Sequence, residues 1–202
     1  MLALKRARPR SWRHPRSQAG VAAVEFALLA LIFFMFVFGI VEIARLLFVL
    51  NTLQEVTRRA AAAAIGVYPR DTQEIDKLKR NAVFRSSPGD LILAPPVTDE
   101  HVRLDYLRFD LTVIPQASWP DSAAANRQIC MMNPRAPTCI RFVQASVCDL
   151  SDTDNCIPVR SQMLLPFIDL RVPLHRAATI APVESLGYVR GTHPPAPPCP
   201  CP

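Results

Sequence analysis

From Phe26 to Val41 the chain carries no charged residue: Phe-Ala-Leu-Leu-Ala-Leu-Ile-Phe-Phe-Met-Phe-Val-Phe-Gly-Ile-Val. Counted from Val21, the segment reaches the ~20 residues that a helix needs to cross a bilayer. It is apolar on every face, so it lacks the one-sided pattern of a surface helix. Ahead of it, residues 1–20 hold Lys5, Arg6, Arg8, Arg10, Arg13 and Arg16 and no acid. The positive-inside rule predicts that this basic leader stays cytoplasmic. The formal net charge of +6 belongs to the leader alone. Without its six cations, 17 Lys and Arg face 17 Asp and Glu. A flexible nucleic-acid-binding arm is the competing reading of such a tract. The adjoining span favours topology, and no nucleic-acid partner is expected.

A cleaved secretory signal is the chief rival for the apolar run. Signal peptides have an apolar core of roughly 7–15 residues followed by a small-residue cleavage site. Here the run is longer, and Glu42 and Arg45 follow it directly. The alanines from Ala60 to Ala64 lie too far downstream to serve as that site. Helical character continues through Leu46, Leu47, Leu50, Leu53 and Val56.

Glu25 is the exception near the start of the span. A carboxylate in a bilayer is costly, about 2.5–3.5 kcal/mol at the centre and less near an interface. Its spacing suggests a use. If the chain were cut after Gly20, Val21 would carry a new α-amine, and Glu25 would lie four residues on, about one helical turn away. The ammonium and carboxylate could then pair within a subunit or between neighbours. A carboxylate also suits the positive end of the helix dipole. The plainer alternative is a side chain at headgroup level.

Gly20-Val-Ala-Ala-Val-Glu25-Phe26 resembles the processing site of type IV pilin-like precursors. The run Ala-Ala-Val-Glu-Phe-Ala-Leu is similar to TadE-like and TadG-like proteins, minor pseudopilins of the Flp/Tad (tight adherence) pilus system. So is the later run Gly39-Ile-Val-Glu42-Ile-Ala-Arg45-Leu-Leu-Phe48. The continuation Asn51-Thr-Leu-Gln-Glu-Val-Thr-Arg-Arg-Ala60 fits the same family. The close likeness covers about residues 16–66; Arg176–Glu184 is only loosely similar to the C-terminal end of such chains. The resemblance implies cleavage after Gly20 by a prepilin peptidase, a membrane aspartyl enzyme. It also implies an inner-membrane anchor and work with other pilin-like and pilus-assembly proteins. The processing residues would be Gly20, Val21, Glu25 and Phe26.

Glu42 and Arg45 are three apart and share a helix face, so they can pair at the membrane interface. The helix is expected to reach about Ile65, before Gly66. Its alanines could serve close packing or could simply be good helix formers. Asp71-Thr-Gln-Glu74 reads as a capping box opening a short amphipathic helix over 72–85, with Ile75, Leu78 and Ala82 on one face. Residues 101–114 read as a strand whose apolar alternation slips one step, suggesting a bulge near Leu107. Ile140–Val147, Phe167–Val172 and Ala177–Val183 are further strand candidates, the last broken by Pro182. Twenty prolines against six glycines favour short strands and many turns. From His193 the tail is proline-rich.

All six cysteines follow the span. An extracytoplasmic location makes disulfides the default. Among the three pairings open to the first four, Cys130–Cys139 and Cys148–Cys156 each close a polar, turn-rich loop. Cys199 and Cys201 have no evident partner. The spacings are too long for a zinc ribbon or finger. Asp149, Asp152, Asp154 and Asn155 lack the glycine and distal glutamate of a calcium loop and read as a solvated acidic loop. His14, His101, His175 and His193 are scattered, and neither a phosphate-binding glycine loop nor a Gly-x-Ser-x-Gly elbow occurs. The expectation is therefore a non-enzymatic α+β protein with no cofactor and no metal. A long N-terminal transmembrane helix would precede a small strand-rich extracytoplasmic domain with disulfides.

The expected segments are a basic leader (1–20), a transmembrane and extended helix (21–66), a short helix and linker (67–96), a β-rich domain (97–190) and a Pro/Cys-rich tail (191–202). The expected location is the bacterial inner membrane, with the N-terminus cytoplasmic and the C-terminal domain periplasmic. Two alternatives stay open: an uncleaved single-pass envelope protein with a binding domain, and a secreted domain cut further on.

Overall fold

The computed structural model describes residues 19–152, 155–163, 171–183 and 185–188. The basic leader with His14, most of the 167–172 strand candidate, Asp154, Glu184, His193 and the tail with Cys199 and Cys201 lie outside them. The chain divides into two units at the Val41–Glu42 boundary.

Helix α1 runs from Ala19–Ala64. In the first unit its large side chains face outward. Phe26, Leu29, Met35 and Phe36 are each at least two-thirds exposed. A soluble helix would bury such a surface, so this exposure fits a bilayer as its solvent. Among the described residues, this is the one helix long and apolar enough to cross a membrane.

In the second unit the sequence changes character, and so does the surface. Val49, Leu53, Val56, Ala60, Ala61 and Ala64 are fully buried. Val49, Leu53, Val56, Ala60 and Ala64 are spaced by three and four and form one stripe of α1, which Ala61 widens. Ala62 and Ala63 remain exposed. The alanine run therefore serves packing on one side and helix propensity on the other. Burying a side chain such as Leu53 or Val56 contributes about 1.5–3 kcal/mol.

Helix α2 spans Thr72–Ala82. Asp71 caps it by accepting the Glu74 amide at 3.2 Å. The Asp71 amide bonds Tyr68 O at 3.0 Å, so half of the expected capping box forms. Leu78 and Ala82 are buried, with Ile75 partly so.

Strands β1 (Val102–Leu107) and β2 (Phe142–Val147) pair antiparallel, Val102 opposite Val147 and Leu107 opposite Phe142. A helix, α3 (Ala123–Met132), lies between them in sequence. Strands β3 (Arg160–Ser161) and β4 (Val172–Pro173) form a small separate ladder. Strand β5 (Ala178–Pro182) completes the main sheet on the other side of β2, giving the order β1-β2-β5. Pro182 ends this strand opposite Phe142 rather than interrupting it.

The bulged strand expected over 101–114 is not what forms. The chain turns back after Leu107. Asp110 accepts both the Thr112 amide at 3.0 Å and its hydroxyl at 2.6 Å. Leu111 adopts φ +63°, and Ile114 N returns to Tyr106 O at 2.8 Å. The change of phase was a reversal nucleated by the Asp110 side chain, which offers the backbone a local alternative to the ladder.

The sheet and α1 meet within the core of the second unit. Val102, Tyr106, Val143, Ala145 and Val147 join the helix stripe there. Thr57 and Thr179 hydroxyls lie 2.9 Å apart. Near the end of α1, Leu186 N donates to Ile65 O at 3.0 Å. A Cβ on Gly187, whose φ is +76°, would stand 2.9 Å from Gly66 O. Only glycine allows that approach.

Two disulfides brace this unit, Cys130–Cys139 and Cys148–Cys156. They are the pairing expected from the loops.

Candidate functional site

Gly20, Val21, Glu25 and Phe26 stand on the first turns of α1, all exposed. A Cβ built at Gly20 would meet nothing within 4 Å. The fold itself therefore places no demand on a glycine there. Four residues separate Val21 from Glu25, so both lie on one side of the helix, a turn apart.

Glu42 and Arg45 are brought together as an ion pair, Arg45 Nη1 donating to Glu42 Oε1. The rest of Arg45 was not foreseen. The residue is only 5% exposed. Its Nε donates to Leu93 O at 2.9 Å, and its Nη2 to Gln162 O at 2.8 Å. One guanidinium thus ties together α1, the turn before β1 and the end of β3. The planar fork of arginine suits three separate acceptors in a way a lysine could not. Nothing in the spacing of Glu42 and Arg45 pointed to the two carbonyls, which lie 48 and 117 residues away in the chain.

His101 is buried and its Nδ1 lies 3.0 Å from the Thr98 amide, which donates to it. The Thr98 hydroxyl is 2.9 Å from the same nitrogen. Burial holds the imidazole pKa below its ordinary value, while Asp149, Glu100, Asp90 and Asp99 pull the other way. The role of His101 is to close a turn, and His175 is not part of that turn. Among the described residues no group of three or more His, Cys, Asp and Glu could hold a metal ion. In the acidic loop, Asp149 accepts the Ser151 amide at 2.9 Å and Asp152 the Asn155 amide at 2.9 Å. Those bonds to the local backbone suit a solvated turn.

These features define a class: a protein whose described residues hold one helix long and apolar enough to cross a membrane, continuing into a small α+β domain braced by two disulfides. Residues 20–62 match the family model described as TadE-like protein, and the match supports assignment to the TadE/TadG family. No curated protein and no solved structure gives a match. Glu25, Glu42 and Arg45 all fall inside the matched segment, whereas the sheet and both disulfides fall outside it.

Proposed function

We propose that the chain is a minor pseudopilin that acts in assembly of a Flp/Tad-type pilus or a related secretion apparatus. In this reading the basic leader holds the N-terminus in the cytoplasm, and α1 parks the precursor in the bacterial inner membrane. The disulfide-braced domain then stands in the periplasm. A prepilin peptidase cuts after Gly20 and removes the six leader cations. The matured helix is then free to pack against helices of other pilin-like proteins. The Glu25 carboxylate pairs there with the α-amine of Val21, its own or a neighbour's.

One observation carries the reading. The Gly20-x4-Glu25 element opens an apolar helix, and the segment matched by the TadE-like model begins at that same glycine. A central test follows from the free space around Gly20. Gly20→Val leaves the fold intact, so any loss of processing reports on the peptidase. Wild-type protein recovered from a strain with the peptidase is expected to begin at Val21 by N-terminal sequencing. The valine variant should keep its leader. Wild-type protein starting at residue 1 or 2 would favour the uncleaved anchor instead. Glu25→Ala is expected to be cut normally yet to lower the yield of surface pili. Unchanged pilus yield would remove the pairing role.

A further inference from the structure

We propose that the turn Leu91–Ala94 is a second membrane contact, lodging Ile92 and Leu93 in the interfacial layer of the leaflet nearest the folded domain. The inference rests on α1 crossing a bilayer and goes beyond it.

The level of the interface can be read on α1 itself. Beyond the uncharged run, the exposed side chains stay apolar at Ile43, Leu47 and Phe48, which are 62%, 56% and 48% exposed. The outward positions that follow are Asn51, Gln54, Arg58 and Arg59. The change from apolar to polar surface therefore falls between Phe48 and Asn51. From Val21 to Phe48 the helix rises about 41 Å, which matches a bilayer with its headgroup regions. Towards this end of α1 the charges Glu42 and Arg45 are largely covered and pair with each other.

The turn is fastened at that level. Its Leu93 carbonyl accepts Arg45 Nε at 2.9 Å. Arg45 lies about 9 Å below Asn51 along the helix axis. Ile92 lines one open groove with Phe48 on the apolar side of that change and with Asn51, Thr52 and Glu55 on the polar side, as a residue at the boundary would. Leu91 and Ala94 are buried anchors, and Ala94 N closes the turn on Leu91 O at 3.1 Å. Between them Ile92 and Leu93 project outward, 60% and 50% exposed. Leu93 does so at φ +60°, in the third position of a turn where glycine is usual. A leucine held in that conformation and turned away from the core sets a second exposed apolar side chain next to Ile92, which borders the same groove as Phe48. The two side chains continue the lipid-facing surface of α1 sideways. Apolar side chains at a bilayer boundary are stabilised by the same area burial as interfacial helices.

Tryptophan fluorescence of the full chain in phosphatidylcholine–phosphatidylglycerol nanodiscs tests this. The lipids are brominated near the headgroup end of the acyl chains. Wild-type protein, with Trp12 and Trp119, supplies the baseline. Emission added by Ile92→Trp should fall about two-fold in the brominated discs, as for an interfacial side chain. Emission added by Met132→Trp, at an exposed site on α3, should not change. Leu93→Trp repeats the measurement from the adjacent side chain. Equal responses at positions 92 and 132, or coverage of Ile92 by a second copy that shields it from bromine, would overturn the proposal. Phe38→Trp, quenched by bromine at mid-chain depth, checks the span separately. If Phe38→Trp responds and neither turn variant does, the turn is not a lipid contact although the helix is inserted. If none responds, both readings fall.

Discussion

Arg45 donates to a carboxylate and two carbonyls while only 5% exposed. A guanidinium in that setting is costly to desolvate, and its partners offset the cost only together. Arg45→Met keeps most of the stem's packing but takes the donors from Leu93 O and Gln162 O and the cation from Glu42. Removing one member of a buried pair costs about 3–5 kcal/mol. The lower end is expected here, because Glu42 is 13% exposed and keeps some water. Arg45→Lys should recover part of the loss, since an ammonium supplies charge but not the fork. Urea unfolding in detergent micelles, followed by circular dichroism, measures both. A methionine variant as stable as wild type would show that the tie contributes nothing.

Among the elements, the segment from Asp90 to His101 carries a titratable fastening. Asp90 and Thr98 form an isolated antiparallel bridge, and His101 closes the far end by accepting the Thr98 amide. That bond needs a neutral imidazole, and burial favours the same form by lowering the pKa. Unfolded histidine titrates near pH 6.5, so the unfolded chain takes up the proton first as pH falls. The stabilisation is complete above about pH 6.5 and is lost as pH drops below it, at no more than about 1.4 kcal/mol per pH unit. Urea midpoints should fall between about pH 7.5 and about pH 5.5 in wild type, and much less in His101→Gln, which cannot titrate. Parallel profiles would assign the loss to other groups.

The sequence was most legible where one periodic pattern ran long. α1 and the Asp71 cap followed from apolar spacing and local hydrogen-bonding chemistry. It was least legible where a single side chain redirected the backbone. Asp110 turned a slipped alternation into a reversal. Helix α3 was missed because Ala123–Met132 has only a weak apolar face. It depends on Ser122 as cap, accepting Ala125 N at 3.1 Å, and on contacts distant in sequence. The pairing of Glu42 with Arg45 could be read because a spacing of three is a local signal, whereas the Leu93 and Gln162 carbonyls at Arg45 are set by tertiary structure alone.

For the molecule as a whole, the two disulfides tie its stability to its compartment. Both lie in the second unit, and each closes a short loop, with sequence separations of 9 and 8. By the chain-entropy model each contributes about 2–3 kcal/mol. Domains of this kind have only about 5–15 kcal/mol in hand, so losing both bonds removes much of the margin. The Cys130–Cys139 bond does not act alone. Buried Asn126, one turn before Cys130 on α3, accepts Ile140 N at 2.9 Å and donates to Ile140 O at 3.3 Å. This amide pairing holds α3 to the approach of β2 even when the sulfurs are apart. Cys148–Cys156 has no such amide pair beside it. At the end of β2 its segment is held by Cys148 N to His101 O at 2.9 Å and Asp149 N to Ile157 O at 2.9 Å, backbone bonds that open with the loop. The Cys148→Ser/Cys156→Ser variant should therefore become protease-sensitive in the 148–157 loop, whereas Cys130→Ser/Cys139→Ser should lose global stability by about 2–3 kcal/mol with α3 still docked. Limited chymotrypsin digestion, cutting after the exposed Leu150, combined with urea melts with and without dithiothreitol, separates the two outcomes. Protein made in a reducing cytoplasm should resemble the variant lacking all four cysteines, and identical resistance in the reduced and oxidised forms would show that packing alone sustains the fold.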